Sequence, residues 1–403
     1  MAPPTFQLKP SSLITSIPLQ PQTCPHNHAV HDQKLVFTST STPTPTPPPQ
    51  KLKPDPNNNN SPPLPPKLLQ SSPPHPTKTT TALIKTRIPL LSDPHGVPSL
   101  PNPLPSNLPI DLTIHTGDLS PHGSLPSYHS TRNLLTSLPS PLTLIIPGNH
   151  DLTLDPLFYT LNSSSLGKDL HSQALSLWTC SETKSKGIIL LEEGTHEFVL
   201  GNGARVRVYA SPWTVRGNGV REWAFGYESA EDRFNGEGRG VVYGRCVGTE
   251  GSVVGEGVDV DVVMTHGPPR YRLDRGFGDG DGDWDGGGQS LGCPHLFRAV
   301  RRGRPALHVF GHVHGGYGAE LVTWEKGGGR EELPDDDDVD DGIGDIRKIE
   351  GRVEDGVRRI ELQNGVGDRE RGVQTLFVNA ALMGREGELD NLPWLVELEL
   401  EKA

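Results

Sequence analysis

Five short polar clusters, each directly after an apolar run, carry residue types that bind metal ions. They are Asp93-Pro94-His95, Gly117-Asp118, Gly148-Asn149-His150-Asp151, His266-Gly267 and Gly311-His312-Val313-His314. Aspartate, histidine and asparagine supply carboxylate, imidazole and amide donors, which suit Mn, Fe, Zn or Mg. The clusters contain no cysteine, which argues against a structural zinc site of the thiolate type.

The residue spacing within two of these clusters favours a shared centre. Alternate residues of an extended chain point the same way, so Asp93 and His95 can both reach one ion, or one of them can flank it. Pro94 between them then points away. His312 and His314 can do the same, either on one ion or on two adjacent ions. Neighbouring glycines allow sharp exits from strand to loop.

Each cluster alone is a weak signal. A lone histidine such as His266 is usually a surface or hydrogen-bonded residue, and a Gly-Asp pair after a strand is most often part of a turn. The indication of a metal site comes from all five clusters together, each after an apolar run. In α/β proteins, ligands collect at the carboxyl ends of strands, where such clusters would meet.

The apolar runs themselves predict the elements that would position these side chains. Runs such as IDLTIHTGD at 110–118 and VDVVMTHG at 260–267 are typical of strands buried on both faces. Helical stretches are expected at 128–138, 168–179 and 293–303. After His196 further strands follow without helices between them. The pattern favours an α/β fold with two stacked mixed sheets and helices outside them.

Composition divides the chain near residue 80. Residues 1–80 hold 20 of the 40 prolines, and no glycine occurs before Gly96. A Pro/Ser/Thr-rich stretch without periodic apolar positions cannot bury enough surface to offset its ordering entropy. We therefore expect a disordered N-terminal tail over 1–80 and a domain over 81–403. Weak Pro-rich ligand motifs for a partner remain open within the tail.

Two insertions are expected to interrupt the domain. In the first, at about 274–290, Asp279, Asp281 and Asp283 imitate the start of a calcium loop. The sharp turn of that loop needs Gly at its sixth position, where Trp284 stands, so a solvated loop is favoured. The second, at about 326–372, is rich in Gly, Asp, Glu and Arg and is expected to be a mobile surface loop.

Several classes of protein are disfavoured by the sequence. The net charge is −12 and no basic stripe is present, so a duplex nucleic-acid partner is not expected. No run of about 18 apolar residues predicts a membrane helix, and the N-terminus lacks the pattern of a secretory signal. Four scattered cysteines fit a reducing compartment. The expected location is cytoplasmic.

The order DxH, GD, GNH[DE], a lone His and GHxH resembles the calcineurin-like metallophosphoesterase superfamily over about residues 81–400. The stretches HTGD, YASPW, MTHGPP, LHVFGHVHGGYG and FVNAA further resemble the metallophosphoesterase domain-containing proteins. This resemblance implies a four-layer αββα sandwich of two mixed β-sheets flanked by helices. It also implies a centre of two divalent metal ions.

The resemblance also assigns roles residue by residue. One ion would be bound by Asp93, His95, Asp118 and His314, and the second by Asp118, Asn149, His266 and His312, with Asp118 shared. A hydroxide bridging the ions would attack a P–O ester, and His150 would face the substrate and protonate the leaving alkoxide. The superfamily pattern has a second aspartate three residues after GD, whereas this chain has Pro121 there. A charged partner for His150 is therefore open.

The resemblance favours a phosphodiesterase acting on a small-molecule phosphoester, with a cyclic nucleotide among the candidates. A phosphoprotein or phosphomonoester phosphatase on the same scaffold and a non-catalytic, metal-bound interaction protein are the alternatives. Arg270, Tyr271 and Arg272 either line a pocket or belong to a surface loop. Trp213 either lies near the site or packs between the sheets, and packing is favoured.

Overall fold

The structure is a computed structural model that describes residues 82–216, 222–236, 245–255, 260–277, 288–325, 343–360 and 372–403. These residues belong to one compact unit, Pro76–Ala403. The predicted tail over 1–80 and the candidate calcium ligands Asp279, Asp281 and Asp283 lie outside the described residues.

Sixteen strands are present in the described ranges. They are β1 (Leu83–Leu91), β2 (Thr113–His115), β3 (Thr143–Ile145), β4 (Ile188–Leu190), β5 (Gly194–Val199), β6 (Arg205–Ser211), β7 (Thr214–Val215), β8 (Gly226–Tyr227), β9 (Val262–Thr265), β10 (Leu307–Phe310), β11 (Gly318–Trp324), β12 (Ile343–Ile349), β13 (Arg352–Glu354), β14 (Val357–Ile360), β15 (Gln374–Asn379) and β16 (Trp394–Glu401). Fourteen of them form two seven-stranded sheets, in the orders β13-β14-β16-β1-β2-β3-β4 and β12-β11-β15-β10-β9-β6-β5. Both sheets are mixed, since β1 is antiparallel to β16 but parallel to β2, and β15 is antiparallel to β11 but parallel to β10.

The described helices are α1 (Leu125–Ser137), α2 (Pro156–Leu166), α3 (Leu170–Thr179), α4 (Ser181–Ser185) and α5 (Pro294–Gly303). Three of them, α1, α3 and α5, lie where the sequence predicts helices. Proline stands in the first turn of α2, where its missing N–H costs nothing, and the Asp155 side chain accepts from the first backbone N–H groups. In the described part of the chain, no helix is long and apolar enough to cross a membrane.

The layers follow from the alternation of side chains along the strands. Leu90 and Val208 lie in the core between the two sheets, whereas their neighbours Leu91 and Tyr209 lie in the outer cores. Helices α1 and α3 cover the outer face of the first sheet, where the Trp178 ring of α3 is fully buried. Helix α5 covers the outer face of the second sheet. The predicted αββα sandwich is confirmed.

The expected loop at about 326–372 is corrected in its described part. Residues 343–360 form β12, β13 and β14, which extend both sheets through pairs with β11 and β16. In β14 the end residues Val357 and Ile360 are buried, while the two arginines between them are partly exposed. The high charge of this stretch therefore belongs to exposed and half-buried side chains of strands at or next to the edges of the sheets, which the composition alone did not distinguish from a loop.

Candidate metal centre

The five polar clusters follow strands β1, β2, β3, β9 and β10. The first three strands are parallel neighbours in one sheet, and the last two are parallel neighbours in the other. Their carboxyl ends therefore open on the same side of each sheet. Across the two sheets, the Nε2 atom of His266 lies 3.2 Å from Oδ1 of Asp118. Loops from both sheets thus meet at one place.

Asp93, His95 and His314 form what we call the outer group. The Nε2 atoms of His95 and His314 are 3.4 Å apart, and Nε2 of His314 is 3.4 Å from Oδ1 of Asp93. The His95 and His314 side chains keep 12% and 24% of their surface exposed. The donor atoms of this group lie close enough to bind one ion, on a side that solvent reaches.

Asp118, Asn149, His266 and His312 form what we call the inner group. Oδ1 of Asn149 is 2.9 Å from Nε2 of His266 and 2.7 Å from Nδ1 of His312. Asp118, Asn149 and His266 are buried, with at most 5% of each residue exposed. His312 is half-buried, so three of the four side chains of this group present their donors inside the protein.

Asp118 lies between the two groups. Its Oδ1 is 3.2 Å from Nε2 of His266, and its Oδ2 is 3.6 Å from Nε2 of His95. Together with Asp93 and His266 it also forms a set of buried donor atoms within 4.8 Å of one another. One carboxylate thus faces both groups, which is the position that the sequence resemblance implies for a shared ligand.

Four of these side chains stand on backbone that non-glycine residues rarely adopt. The φ angles are +54° at Asp93, +45° at His95, +54° at Asp118 and +65° at His312. Such a conformation costs on the order of 1–3 kcal/mol per residue and persists only where the surroundings fix it. Here the Asp93 amide donates to the Gly117 carbonyl, and the His312 amide donates to the Asp93 carboxylate. The loops hold one another in shape.

Two glycines allow this close packing. A Cβ atom on Gly148 would overlap the carboxylate of Asp118, and a Cβ on Gly311 would overlap the carboxylate of Asp93. The two carboxylates pass directly over these backbone positions. The glycines of the GNHD and GHVH stretches are therefore required by the carboxylates of other loops.

The charge balance of the site fits divalent cations. Burial would raise the pKa of Asp93, but a hydrogen bond to His314 and the charge of His266 outweigh it and lower the pKa to about 2. Burial likewise lowers the pKa of His266, but the Asp118 carboxylate overcomes this and raises it to about 9. Without metal, a protonated His266 thus offsets part of the negative charge of the two buried carboxylates Asp93 and Asp118. A cation among oxygen and imidazole donors would supply the same compensation.

The His266 ring is also held in an orientation that suits metal binding. Its Nδ1 atom is 2.8 Å from the carbonyl oxygen of Thr116, which can only accept a hydrogen bond. Nδ1 therefore carries a proton and donates, which directs Nε2 toward Asp118 and Asn149. Metal-binding histidines are commonly held in this way by a backbone carbonyl.

His150 lies beside the outer group. Its amide donates to Oδ1 of Asp118 over 2.9 Å, and its Nδ1 donates to the carbonyl oxygen of Pro121 over 2.8 Å. Nδ1 is thereby committed, so Nε2 is the nitrogen left for a substrate. His150 also lies within reach of the His95 and Asp118 donors, so its predicted role facing the substrate stays a prediction.

The adjacent Asp151 turns inward but does not contact the His150 ring through any described hydrogen bond. Its buried carboxylate accepts from the Gly148 amide over 2.8 Å, the Leu119 amide over 3.0 Å and the Ser120 hydroxyl over 2.8 Å. Burial is the main cause that raises the pKa of Asp151 to about 7. Asp151 therefore fastens the loop that carries Asp118 to the loop of Asn149.

A family model described as calcineurin-like phosphoesterase matches residues 86–316. The match covers more than half of the chain and includes every residue of the outer and inner groups, together with His150. The chain belongs to the calcineurin-like phosphoesterase family.

Two of the similar curated proteins carry names that agree with this family. Human and mouse Metallophosphoesterase domain-containing protein 1 are each 30% identical over 246 residues, which is 58% of this chain and 62% of theirs. The Emericella nidulans protein named "Probable rhamnogalacturonate lyase C" is 30% identical over 252 residues, 62% of this chain but 19% of that protein. The chain thus spans less than two thirds of the length of each of these relatives.

One aromatic neighbour in this calcineurin-like phosphoesterase site was not found as a functional residue from the sequence. The Trp223 ring lies 3.9 Å, between centroids, from the His150 ring, with 35° between the planes. The Ala224 amide donates to the carbonyl of Asn149 over 3.0 Å. Nothing in residue spacing predicts this contact, because Trp223 lies between β7 and β8, far along the chain from the loop of Asn149 and His150.

Two other sequence hypotheses are narrowed by the structure. The Arg272 guanidinium is 3.6 Å from the Glu320 carboxylate with 6% of its side chain exposed, and the Tyr271 ring packs against Phe297. Arg272 is therefore bound inside the fold rather than free to line a pocket. The favoured packing of Trp213 between the sheets is wrong: among the described residues it packs against the cores on the outer faces of the sheets, beneath the guanidinium of Arg233.

Proposed function

We propose that the chain is a metal-dependent phosphoesterase that hydrolyses P–O ester bonds with two divalent ions, one in each group. The observation that carries the proposal is Asp118, whose two carboxylate oxygens face donors of the inner and the outer group. Mn, Fe, Zn and Mg all suit this mixture of carboxylate, imidazole and amide donors. The fit of both groups to cations supports two sites rather than one.

Different residues of the chain would bind each of the two ions. Bound divalent ions lower the pKa of bound water and offset the negative charge of a phosphate. Asp93, His95 and His314 would hold one ion on the side that solvent reaches. Asn149, His266 and His312 would hold the other in the buried group. The close packing of their loops keeps these donors in place before a substrate arrives.

His150 would protonate the leaving group. Its Nδ1 is held by the Pro121 carbonyl, so a protonated ring presents its second N–H at Nε2. A positioned general acid contributes roughly 10²–10⁴ in rate, and it matters most when the leaving alkoxide is a strong base. The chain's own contribution at this step is therefore an oriented proton donor beside the outer group.

The substrate that we propose is a small-molecule phosphodiester, with cyclic nucleotides among the candidates. The support is the motif resemblance to the metallophosphoesterase domain-containing proteins, two of which are among the relatives described above. Phosphomonoesters and phosphopeptides are the competing substrates on the same scaffold. A non-catalytic, metal-bound interaction protein is the competing function.

A panel of substrates tests the proposal. The full chain, loaded with Mn, is assayed on a bis-aryl phosphate, a mono-aryl phosphate, cyclic nucleotides and a phosphopeptide, and its metal content is measured by elemental analysis. We expect about two ions per chain and the highest kcat/KM on diesters. A preference for the phosphopeptide would favour a phosphatase. Metal binding without hydrolysis of any ester would overturn the enzymatic proposal.

A variant pair sharpens this test. Asp118→Asn removes the proposed shared ligand, and Asp169→Asn removes an exposed carboxylate that makes no cap hydrogen bond at the start of α3. Hydrolysis should be lost in the first and kept in the second. Equal activity in both would contradict the assignment of hydrolysis to this centre.

We also propose a cytoplasmic location, because Cys180, Cys246 and Cys293 are free thiols in the described structure. Free cysteines fit a reducing compartment. Microscopy of a tagged full chain tests this proposal, and a secreted or lumenal signal would contradict it. A weak partner for the Pro-rich tail stays a prediction.

A further inference from the structure

We propose that Trp223 is the positioning residue of His150, and that it acts by stacking on the imidazole so that Nε2 points to the leaving group. This inference rests on the proposed function, because it concerns the group that would donate the proton. It adds a residue outside the metal ligands to the machinery of the site.

The contact between the two rings is close. Their centroids are 3.9 Å apart, and the planes are inclined by 35°. On another side, the His95 ring meets the His150 ring edge-on, with centroids 4.8 Å apart and planes at 86°. Aromatic pairs at such separations attract each other beyond the area they bury. The indole therefore limits how far the imidazole can tilt.

A second constraint on His150 comes from the backbone. Nδ1 donates to the Pro121 carbonyl over 2.8 Å. One hydrogen bond at Nδ1 cannot fix both side-chain torsion angles of His150, so a coupled rotation about them remains. Stacking on Trp223 removes this remaining freedom, because it sets the plane of the ring. The two contacts together determine where Nε2 points.

No described carboxylate forms a hydrogen bond with the His150 ring that would orient it. The superfamily pattern has an aspartate at the position of Pro121, and the neighbouring Asp151 binds Gly148, Leu119 and Ser120 instead. The carbonyl of Pro121 is a neutral acceptor, and hydrogen bonds to neutral groups are weaker than those to charged ones. The orientation of His150 therefore depends more on the stacked indole than it would with a carboxylate partner.

The backbone that carries the Trp223 indole is fixed by hydrogen bonds that do not involve its side chain. The Ala224 amide donates to the Asn149 carbonyl over 3.0 Å, and the Phe225 amide donates to the buried Asp155 carboxylate over 2.8 Å. Both bonds link the 223–225 segment to the loop and helix that follow β3. Because they use backbone amides of the following residues, replacing the Trp223 side chain leaves both donors present.

The test compares leaving groups across a set of variants. The metal-loaded full chain is assayed on phosphodiesters whose leaving groups range from aryl to alkyl alcohols. The variants are Trp223→Leu, Trp223→Phe, His150→Ala and the double variant His150→Ala/Trp223→Leu. Trp213→Leu is the matched control, because Trp213 is also a partly buried indole but packs on Arg233 and Phe225 rather than on His150.

We expect Trp223→Leu to lower kcat on alkyl esters by roughly 10- to 100-fold, the scale of a misplaced catalytic group, with little loss on aryl esters and little change in KM. Trp223→Phe keeps a stacked ring and should recover most of the loss. In the His150→Ala background, Trp223→Leu should add nothing. Trp213→Leu should leave the dependence on the leaving group unchanged.

Each other outcome overturns either the positioning role of Trp223 or the donor role of His150. Wild-type leaving-group dependence in Trp223→Leu, or an equal loss on every ester that persists without His150, would overturn the positioning role. If His150→Ala shows no loss specific to alkyl esters, the donor role of His150 fails with it, while metal-dependent hydrolysis itself survives. Should thermal unfolding show that Trp223→Leu does not fold, Trp223→Phe is compared with and without His150. A loss on alkyl esters that is independent of His150 would again overturn the proposal.

Discussion

The inner and outer groups of the centre differ in how the protein surrounds them. In the inner group, Asp118, Asn149 and His266 are buried, and His266 is held by the Thr116 carbonyl. In the outer group, His95 and His314 keep part of their surface exposed, and the His150 ring stands next to them. Asp93 of the outer group is also buried. Both groups use carboxylate and imidazole donors, with an added amide in the inner group, so what distinguishes them further is the exposure of His95 and His314 and the support of His266.

This difference indicates a division of tasks. Buried donors that are held by hydrogen bonds lose little freedom when an ion binds, which favours tight binding. Donors at the surface can exchange with water and substrate more easily. We therefore expect the inner ion to be held more firmly and the outer ion to lie on the side from which a phosphoester enters. The variants below test this division.

Asp118→Asn is expected to have the largest effect, because it removes the carboxylate that faces both groups. Both ions should be lost or bound more weakly. Loss of a residue that only hydrogen-bonds to a metal ligand costs up to roughly 100-fold, so loss of the shared ligand itself should lower kcat/KM by more than that. Elemental analysis and steady-state kinetics measure this. A variant that kept two ions would show that Asp118 does not join the groups.

His266→Ala and His314→Ala compare the two groups directly. We expect the first to lower metal content and activity more, since it removes a partner that the buried Asp118 and Asn149 share. The second should lose one ion that excess metal in the assay partly restores. Metal titrations followed by activity separate the cases. Equal losses of metal and activity in the two variants, or easier rescue of His266→Ala by excess metal, would contradict the firmer binding of the inner ion.

Metal uptake by the inner group should depend on pH. The Asp118 carboxylate overcomes the effect of burial and raises the pKa of His266 to about 9, so below that pH the ring holds a second proton. An ion that binds Nε2 must displace it, so the apparent affinity should fall about tenfold per pH unit below 9. Calorimetry in buffers of different ionisation enthalpy measures the released proton. Uptake that is constant between pH 7 and 9 would contradict this.

Asp151→Asn should have the smallest effect. The amide group can keep part of the acceptor role, but its own N–H group would meet donors from Gly148, Leu119 or Ser120. We expect a loss of about 1–3 kcal/mol in stability, with weaker binding of the inner ion because the loops of Asp118 and Asn149 are joined here. Thermal unfolding and metal titration report the two effects. If Asp151→Asn weakened binding of the outer ion only, the assignment of Asp151 to the support of the inner group would be contradicted.

Much of the donor set could be predicted from the sequence because its signals are local. Asp93, Asp118, Asn149, His266 and His312 each stand directly after an apolar strand, and parallel strands bring such positions to one edge. The two stacked sheets with helices outside were also predictable, since dense apolar runs indicate strands buried on both faces.

The remainder depends on contacts between distant segments or on main-chain atoms. The Trp223 stack and the hydrogen bonds of Asp151 join different loops, which residue spacing does not encode. Strands β12 to β14 were missed because most of their side chains are exposed or half-buried and many are charged, so no buried two-residue period marks them. Likewise, no side-chain motif could indicate that the carbonyl of Pro121 would bind His150.

That carbonyl changes how natural or laboratory variation at position 121 should be interpreted. Every amino acid carries a main-chain oxygen, so no single substitution at Pro121 can delete the acceptor of Nδ1; only a different course of the loop can remove it. A saturation library at this position would therefore report on loop geometry rather than on the loss of a functional group. Tolerance there would be no sign that the contact is dispensable.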